Sequence, residues 1–100
     1  MTDQIEIQKA ADGLIRIRGE LSYVNVSDVH QRAVNFFKNQ NDVKIDLGGV
    51  THSDSAGIAL LVEWLSDARH RNQVIHFVNL PKQMLKMVRV SNLDQVLPIV

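Results

Sequence analysis

The sequence contains no cysteine, and this absence excludes three kinds of chemistry. Disulfide cross-links, catalysis by a thiol and zinc sites built on thiolates all require cysteine side chains. A reducing compartment is where proteins most often lack disulfides. The composition therefore favours a cytoplasmic protein.

Neither sign of charge is in excess. The chain has 11 Lys and Arg residues and 11 Asp and Glu residues, so its formal net charge is zero. A nucleic-acid-binding protein needs an excess of basic residues to replace the counterions of the phosphates. Because runs of like charge are also missing, the sequence argues against nucleic acid as a partner and against a polybasic membrane anchor.

Long hydrophobic runs are missing too. The longest extends from Ala56 to Val62 and stops at Glu63, whereas a membrane-spanning helix needs about 20 apolar residues. The first ten residues lack the basic start and apolar centre of a signal peptide. Since domains of roughly 100–150 residues are the commonest, we expect residues 1–100 to form one domain.

The N-terminal part of the chain predicts a β-hairpin. Apolar and polar residues alternate over residues 4–8 and 14–18, as they do in half-buried strands. Between these segments, Asp12 and Gly13 form the dipeptide that most strongly indicates a hairpin turn.

Helices and strands alternate along the rest of the chain. Apolar residues at helical spacing and short runs of β-branched residues mark the segments, and glycine or polar residues separate them. The first predicted helix follows Ser27, and a strand over 43–47 is ended by Gly48-Gly49. A polar loop over 51–55 leads into a helix over 55–70, which is followed by a strand over 73–78. A helix from Pro81 to about Asn92 comes next, and a final edge or terminal strand over 93–100 contains Pro98. This order predicts an α/β domain with a mixed β-sheet, an N-terminal hairpin and three to four α-helices.

The four histidines do not form a metal-binding pattern. His30, His52, His70 and His76 are far apart, and no two have the close spacing of zinc motifs. We expect ordinary packed or surface imidazoles, with no metal ion and no other cofactor. His52 differs from the others because it adjoins a Ser-Asp-Ser segment.

Catalytic motifs are absent as well. His52, Asp54 and Ser55 are the residue types of a serine hydrolase, but three residues within four positions of one loop rarely align as base, orienting acid and nucleophile. The segment also lacks the Gly-x-Ser-x-Gly pattern, and Gly48-Gly49 does not continue into a phosphate-binding loop. The sequence therefore predicts a protein that is not an enzyme.

The start of the helix at residue 55 carries the most distinctive group of polar residues. Any one of Ser53, Asp54 and Ser55 could cap this helix, and capping alone would explain them. Alternatively, Ser55 is exposed on the first turn, where a phosphate or a partner would meet free N–H groups and the positive end of the helix dipole. Gly57 would then let another chain approach closely, because it has no side chain.

Leu60 and Trp64 lie on a second face of the same helix, away from its main apolar stripe. Two interpretations stay open for them. They either pack beneath a neighbouring helix, or form an exposed apolar anchor of the kind in which tryptophan dominates binding energy.

Residues 45–65, IDLGGVTHSDSAGIALLVEWL, resemble the signature of the STAS domain family, named for sulfate transporters and anti-sigma-factor antagonists. The segment Ile17-Arg18-Gly19-Glu20-Leu21 resembles the Gly-Glu-Leu strand end of that family, and the order of elements matches over essentially the whole chain. The resemblance implies the STAS fold and a non-enzymatic module that docks on an ATPase or kinase. It matches Ser55 to the family's phosphorylatable Ser or Thr, Asp54 to the acidic residue before it, and Gly57 to the following glycine.

Within that family, the short chain is similar to the STAS subunit of phospholipid-transporting ABC systems, although Ser55 and Ala56 replace a threonine and a glycine. This similarity implies binding to the transporter's ATPase on the cytoplasmic side of the inner membrane, and a contribution to outer-membrane lipid asymmetry. The alternative is an anti-sigma-factor antagonist whose Ser55 is phosphorylated by a serine kinase. In either case the expected partner-binding residues are His52, Ser53, Asp54, Ser55, Ala56, Gly57, Leu60 and Trp64.

Overall fold

The computed structural model describes residues 5–100, which form an α/β domain with one mixed sheet. Its elements are β1 (Glu6–Lys9), β2 (Leu14–Leu21), α1 (Val26–Phe37), β3 (Asp42–Ser53), α2 (Ser55–His70), β4 (Val74–Val78), α3 (Lys82–Val90) and a 3-10 turn (Leu93–Gln95). This order confirms the predicted fold class. Gln4, which the sequence assigned to the first strand, lies outside the described residues.

The four strands are adjacent in chain order, β1-β2-β3-β4. β1 and β2 form the predicted antiparallel hairpin, whereas β3 runs parallel to both β2 and β4. In the hairpin turn, Asp12 Oδ1 accepts a hydrogen bond of 3.1 Å from the N–H of Leu14. This backbone hydrogen bond is the main reason why the pKa of the Asp12 carboxyl is lowered, and Arg16 contributes in the same direction.

One core joins the sheet to the three helices. From Asp42 to Leu47, alternate residues of β3 are buried, because successive side chains of a strand point to opposite faces. Apolar stripes on all three helices pack against this buried face, and Ile15, Ile45, Phe77, Val29, Leu61 and Met84 are among the residues of the resulting cluster. The intervening strand residues carry charge, as where Arg16 Nε lies 3.3 Å from Asp46 Oδ2. The helices therefore cover one face of the sheet.

The predicted end of the third strand was wrong. Gly48-Gly49 do not end the third strand, which continues through the supposed polar loop to Ser53. β2 continues beside it, with register shifts at Arg16/Arg18 and Gly19/Glu20. Gly49 packs directly on the Arg18 side chain, where a Cβ would collide with it. These glycines thus allow close packing within the sheet instead of forming a turn.

The C-terminal segment does not form the predicted strand. After the 3-10 turn, it makes a single parallel bridge between Ile99 and Phe77. Phe77 N donates to Pro98 O and Val100 N donates to Phe77 O, both at 2.9 Å. Because proline has no N–H to donate, pairing at this edge stays short.

Candidate functional site

Asp54 fixes the start of α2. Its Oδ1 accepts hydrogen bonds from the N–H groups of Ala56 at 2.9 Å and Gly57 at 3.3 Å, which makes it the helix N-cap. Its Oδ2 accepts a third hydrogen bond, of 3.0 Å, from the N–H of Tyr23 in the loop between β2 and α1. One carboxylate therefore joins two loops at the same edge of the sheet.

Ser53 is held from the other side by α3. Its N–H donates to Gln83 Oε1 at 2.9 Å, and its carbonyl accepts from Gln83 Nε2 at 2.6 Å. Its hydroxyl donates to the carbonyl of Asp54 at 3.0 Å. Ser53 is completely buried, so it supports the site from below and is not a surface contact.

The packing around Gly57 inside the domain leaves no room for a larger side chain. A Cβ at this position would overlap Ser53 Oγ and would come within 3.2 Å of the Leu21 side chain. The expectation that Gly57 gives another chain access is therefore corrected, because the group that approaches this buried glycine is the end of β3. Its hydrogen atom lets α2 start directly above the sheet.

Ser55, by contrast, is exposed as the first residue of α2. Among residues 5–100 its hydroxyl makes no hydrogen bond. Two N–H groups of the first turn, those of Ala56 and Gly57, already donate to Asp54. The first turn therefore offers a free hydroxyl at the positive end of the helix dipole, while the Ala56 and Gly57 amides are already used by the cap.

His52 and Ala56 flank this hydroxyl. His52 is exposed and pairs in register with Glu20 of β2, and Ala56 is half-buried. Within the described residues no hydrogen bond joins the side chains of His52, Asp54 and Ser55. Of the predicted site residues, His52 and Ser55 are exposed, and Asp54 and Ala56 are half-buried.

Leu60 and Trp64 are buried, with 5% and 1% of their surface exposed. They are not exposed anchors, because α1 packs across this face of α2. The Trp64 ring makes an edge-on contact with Phe37, at 5.6 Å between ring centroids, and its Nε1 donates to His30 Nδ1 at 2.9 Å. The interpretation that these residues pack beneath a neighbouring helix is the correct one.

Sequence reasoning missed the residues that support the site from a distance. Gln83 and Tyr23 bond to the Ser53-Asp54 segment from positions 30 and 31 residues away, and His30 is 34 residues from Trp64. No local pattern marks any of the three. An exposed helical glutamine or a loop tyrosine has no preference that identifies its partner.

Solved structures with the same architecture define the class of this domain. A candidate anti-sigma factor antagonist of Thermotoga maritima superposes with a TM-score of 0.76 at 17% identity, over 95% of this chain and 84% of that one. The anti-sigma factor antagonist SpoIIAA in its unphosphorylated form gives 0.72 at 15% identity, over 97% and 88%. An anti-sigma factor antagonist from Mycobacterium paratuberculosis gives 0.73 at 14%, over 98% and 85%. The fold is that of a STAS domain.

The family model described as "Mlab, STAS domain" matches residues 6–99. The chain therefore belongs to the MlaB-type STAS domain family, whose domains are protein-interaction modules. Within residues 5–100, no helix has both the length and the apolar character needed to cross a bilayer.

Proposed function

We propose that this chain is the STAS subunit of an ABC-type phospholipid transporter, where it binds the cytoplasmic ATPase and supports its assembly and activity. The family match over residues 6–99 supports this assignment. The observation that carries it is the exposed, unbonded hydroxyl of Ser55 on a firmly supported helix start. In this role the protein is not an enzyme, is peripheral to the inner membrane, and contributes to outer-membrane lipid asymmetry.

The geometry suits docking because the surface is preorganised. Asp54 caps α2 and also binds Tyr23, while Gln83 holds Ser53 beneath them. Ordering loops on binding costs free energy. A surface whose backbone is already hydrogen-bonded avoids much of that cost, so a small patch around Ser55 is able to contribute to specific binding.

The test is co-purification with the candidate ATPase, followed by titration with wild type, Ser55→Ala and Ser55→Asp. We expect Ser55→Asp to weaken binding and reduce ATPase stimulation, because it places a second carboxylate beside Asp54. Ser66→Asp is the control, since Ser66 is exposed on the same helix about 16 Å further along. Equal binding by wild type and Ser55→Asp would contradict a contact centred on Ser55.

The second candidate function is an anti-sigma-factor antagonist switched by phosphorylation of Ser55. The three structural neighbours favour it, and one of them is described in its unphosphorylated form. A phosphate on Ser55 would add a charge of about −2 next to the Asp54 carboxylate and would repel an acidic partner surface. Mass-spectrometric mapping after incubation with a serine kinase tests this role, and it predicts a label on Ser55 that Ser55→Ala abolishes.

A further inference from the structure

Two helices form a second surface directly beside Ser55. The groove between α1 and α2 has a volume of about 210 Å³ and is lined by Val26, Ser27, His30, Ala56, Ala59, Leu60 and Glu63. We call it the α1–α2 groove. It follows two turns of α2 from Ala56 to Glu63, a length of roughly 10 Å. Because its middle is lined by aliphatic side chains, it is suited to an apolar group.

The far end of the α1–α2 groove is acidic. Glu63 Oε2 lies 3.4 Å from His30 Nε2, and ligand atoms of His30, Glu63 and Asp67 lie within 4.8 Å of one another. Among residues 5–100, neither carboxylate forms an ion pair with a lysine or an arginine. Two neighbouring negative charges therefore lack a cationic partner within the described domain.

Trp64 determines which nitrogen of His30 carries the proton. Its Nε1–H donates to His30 Nδ1 at 2.9 Å, so Nδ1 is the acceptor and Nε2 holds the proton of the neutral ring. A metal ion at Nε2 would have to displace that proton while Nδ1 stays unprotonated, which makes the three residues a poor metal site. A neutral imidazole also does not neutralise Glu63 and Asp67, so they are complementary to a cationic side chain.

Building on the proposed function, we propose that the α1–α2 groove binds a segment of the ATPase that presents one large apolar side chain and one arginine or lysine. The apolar side chain lies against Ala56 and Ala59, and the cation pairs with Glu63 and Asp67. Arginine fits best, since its planar fork engages carboxylates through two hydrogen bonds. On a partner helix the two side chains are about seven residues apart, matching the roughly 10 Å length of the groove.

Charge reversal at the acidic end tests this assignment with the purified ATPase. We expect Glu63→Lys and Asp67→Lys each to raise the Kd at least about tenfold, because like charges then face each other across the interface. Glu63→Gln should have a smaller effect in the same direction, and Ala59→Trp should weaken binding by filling the groove. Asp94→Lys is the matched control, since Asp94 is an exposed acid in the 3-10 turn, and its Kd should stay within about twofold of wild type. Circular dichroism and thermal melting verify that each variant is folded.

The outcomes separate this inference from the proposed function. An unchanged Kd for Glu63→Lys and Asp67→Lys, with normal wild-type binding, would overturn the groove assignment and leave the proposed function intact. Absence of wild-type binding would overturn the proposed function, and the proposed occupant with it. Binding of a divalent metal ion by the purified chain alone, lost in both Glu63→Gln and His30→Ala, would show that this cluster holds a metal ion, which also overturns the assignment.

Discussion

The side chain of Gln83 pairs with the backbone of Ser53 as a neighbouring strand would. It accepts from the Ser53 N–H at 2.9 Å and donates to the Ser53 carbonyl at 2.6 Å. Since β3 ends at Ser53 and α2 begins at Ser55, this pair connects α3 to the base of the candidate partner-binding site. The position of Ser55 therefore depends on a residue 28 positions further along the chain.

Replacing Gln83 tests that connection. Gln83→Ala leaves both backbone groups of buried Ser53 without their partner, and we expect a loss of about 1–3 kcal/mol in the free energy of unfolding. Urea denaturation measures it. Gln31→Ala, a change at an exposed position of α1, is the control and should cost much less. If the two variants were equally stable, the Gln83–Ser53 pair would have no structural importance.

Gly57→Ala is expected to destabilise the protein, although alanine normally favours a helix by about 1 kcal/mol over glycine. The added Cβ overlaps Ser53 Oγ and crowds Leu21, and overpacking of this kind costs about 1–3 kcal/mol. Thermal melting should show the lower stability. Ser53→Ala in the Gly57→Ala background removes the overlapping oxygen and should recover part of the loss, whereas no recovery would contradict this explanation.

Asp54→Ala removes the N-cap of α2 and should lower the free energy of unfolding by about 1–2 kcal/mol. It also frees the N–H of Tyr23, so partner binding should weaken as the loop loosens. Asp54→Asn keeps one oxygen that can accept the two capping hydrogen bonds of Ala56 and Gly57, although its NH2 group cannot accept from the Tyr23 N–H, so it should lose less. Denaturant titration of both variants measures the difference, and equal losses would show that capping is not the function of this side chain.

The Trp64–His30 hydrogen bond should appear as a coupling energy. In a double-mutant cycle with Trp64→Phe and His30→Ala, we expect a coupling of about 1 kcal/mol between the two residues. The cycle of Trp64→Phe with His70→Ala is the control, because His70 is exposed at the end of α2, and its coupling should be close to zero. Equal coupling in both cycles would argue against the assigned bond.

Asp12 should give the hairpin a pH-dependent contribution to stability. Its pKa is lowered in the folded state, mainly by the hydrogen bond from the N–H of Leu14. Its carboxylate therefore stabilises the fold at pH values above the pKa that Asp12 has in the unfolded chain. That contribution is lost as the pH falls through the folded pKa. Asp12→Asn should therefore be less stable than wild type at pH 7, with a difference that shrinks in acid. Melting curves across this range measure it, and a difference independent of pH would contradict the assignment.

Much of the fold could be predicted from local patterns. The alternation in β1 and β2, the Asp12-Gly13 turn and the apolar stripe of α2 each depend on neighbouring residues, so their periods indicate their structures. Strand ends were harder to predict. Gly48 and Gly49 are typical of a turn, yet the pairing of β3 with β2 on one side overrides that preference.

Some features of the candidate site could likewise be predicted from local sequence, and others could not. The Ser-Asp-Ser segment before an apolar helix identified Asp54 and Ser55 as important, but did not show which of them caps the helix. The burial of Leu60 and Trp64 depended on where α1 packs, and the requirement for Gly57 depended on Ser53 lying beneath it. Such contacts join segments that the sequence separates, so they follow from the packing of helices on the sheet.

The sequence by itself determined the α/β class, the neutral charge that disfavours nucleic acid, and the motif around Ser55, because composition and period are properties of local segments. Only the tertiary structure decided that Gln83 supports Ser53 and that Trp64 is buried against His30. It also brought Asp67 beside Glu63 at the end of the α1–α2 groove, where neither forms an ion pair with a lysine or arginine of residues 5–100. The physical reason is that these relationships arise when the helices α1, α2 and α3 cover one face of the sheet and bring distant residues into contact.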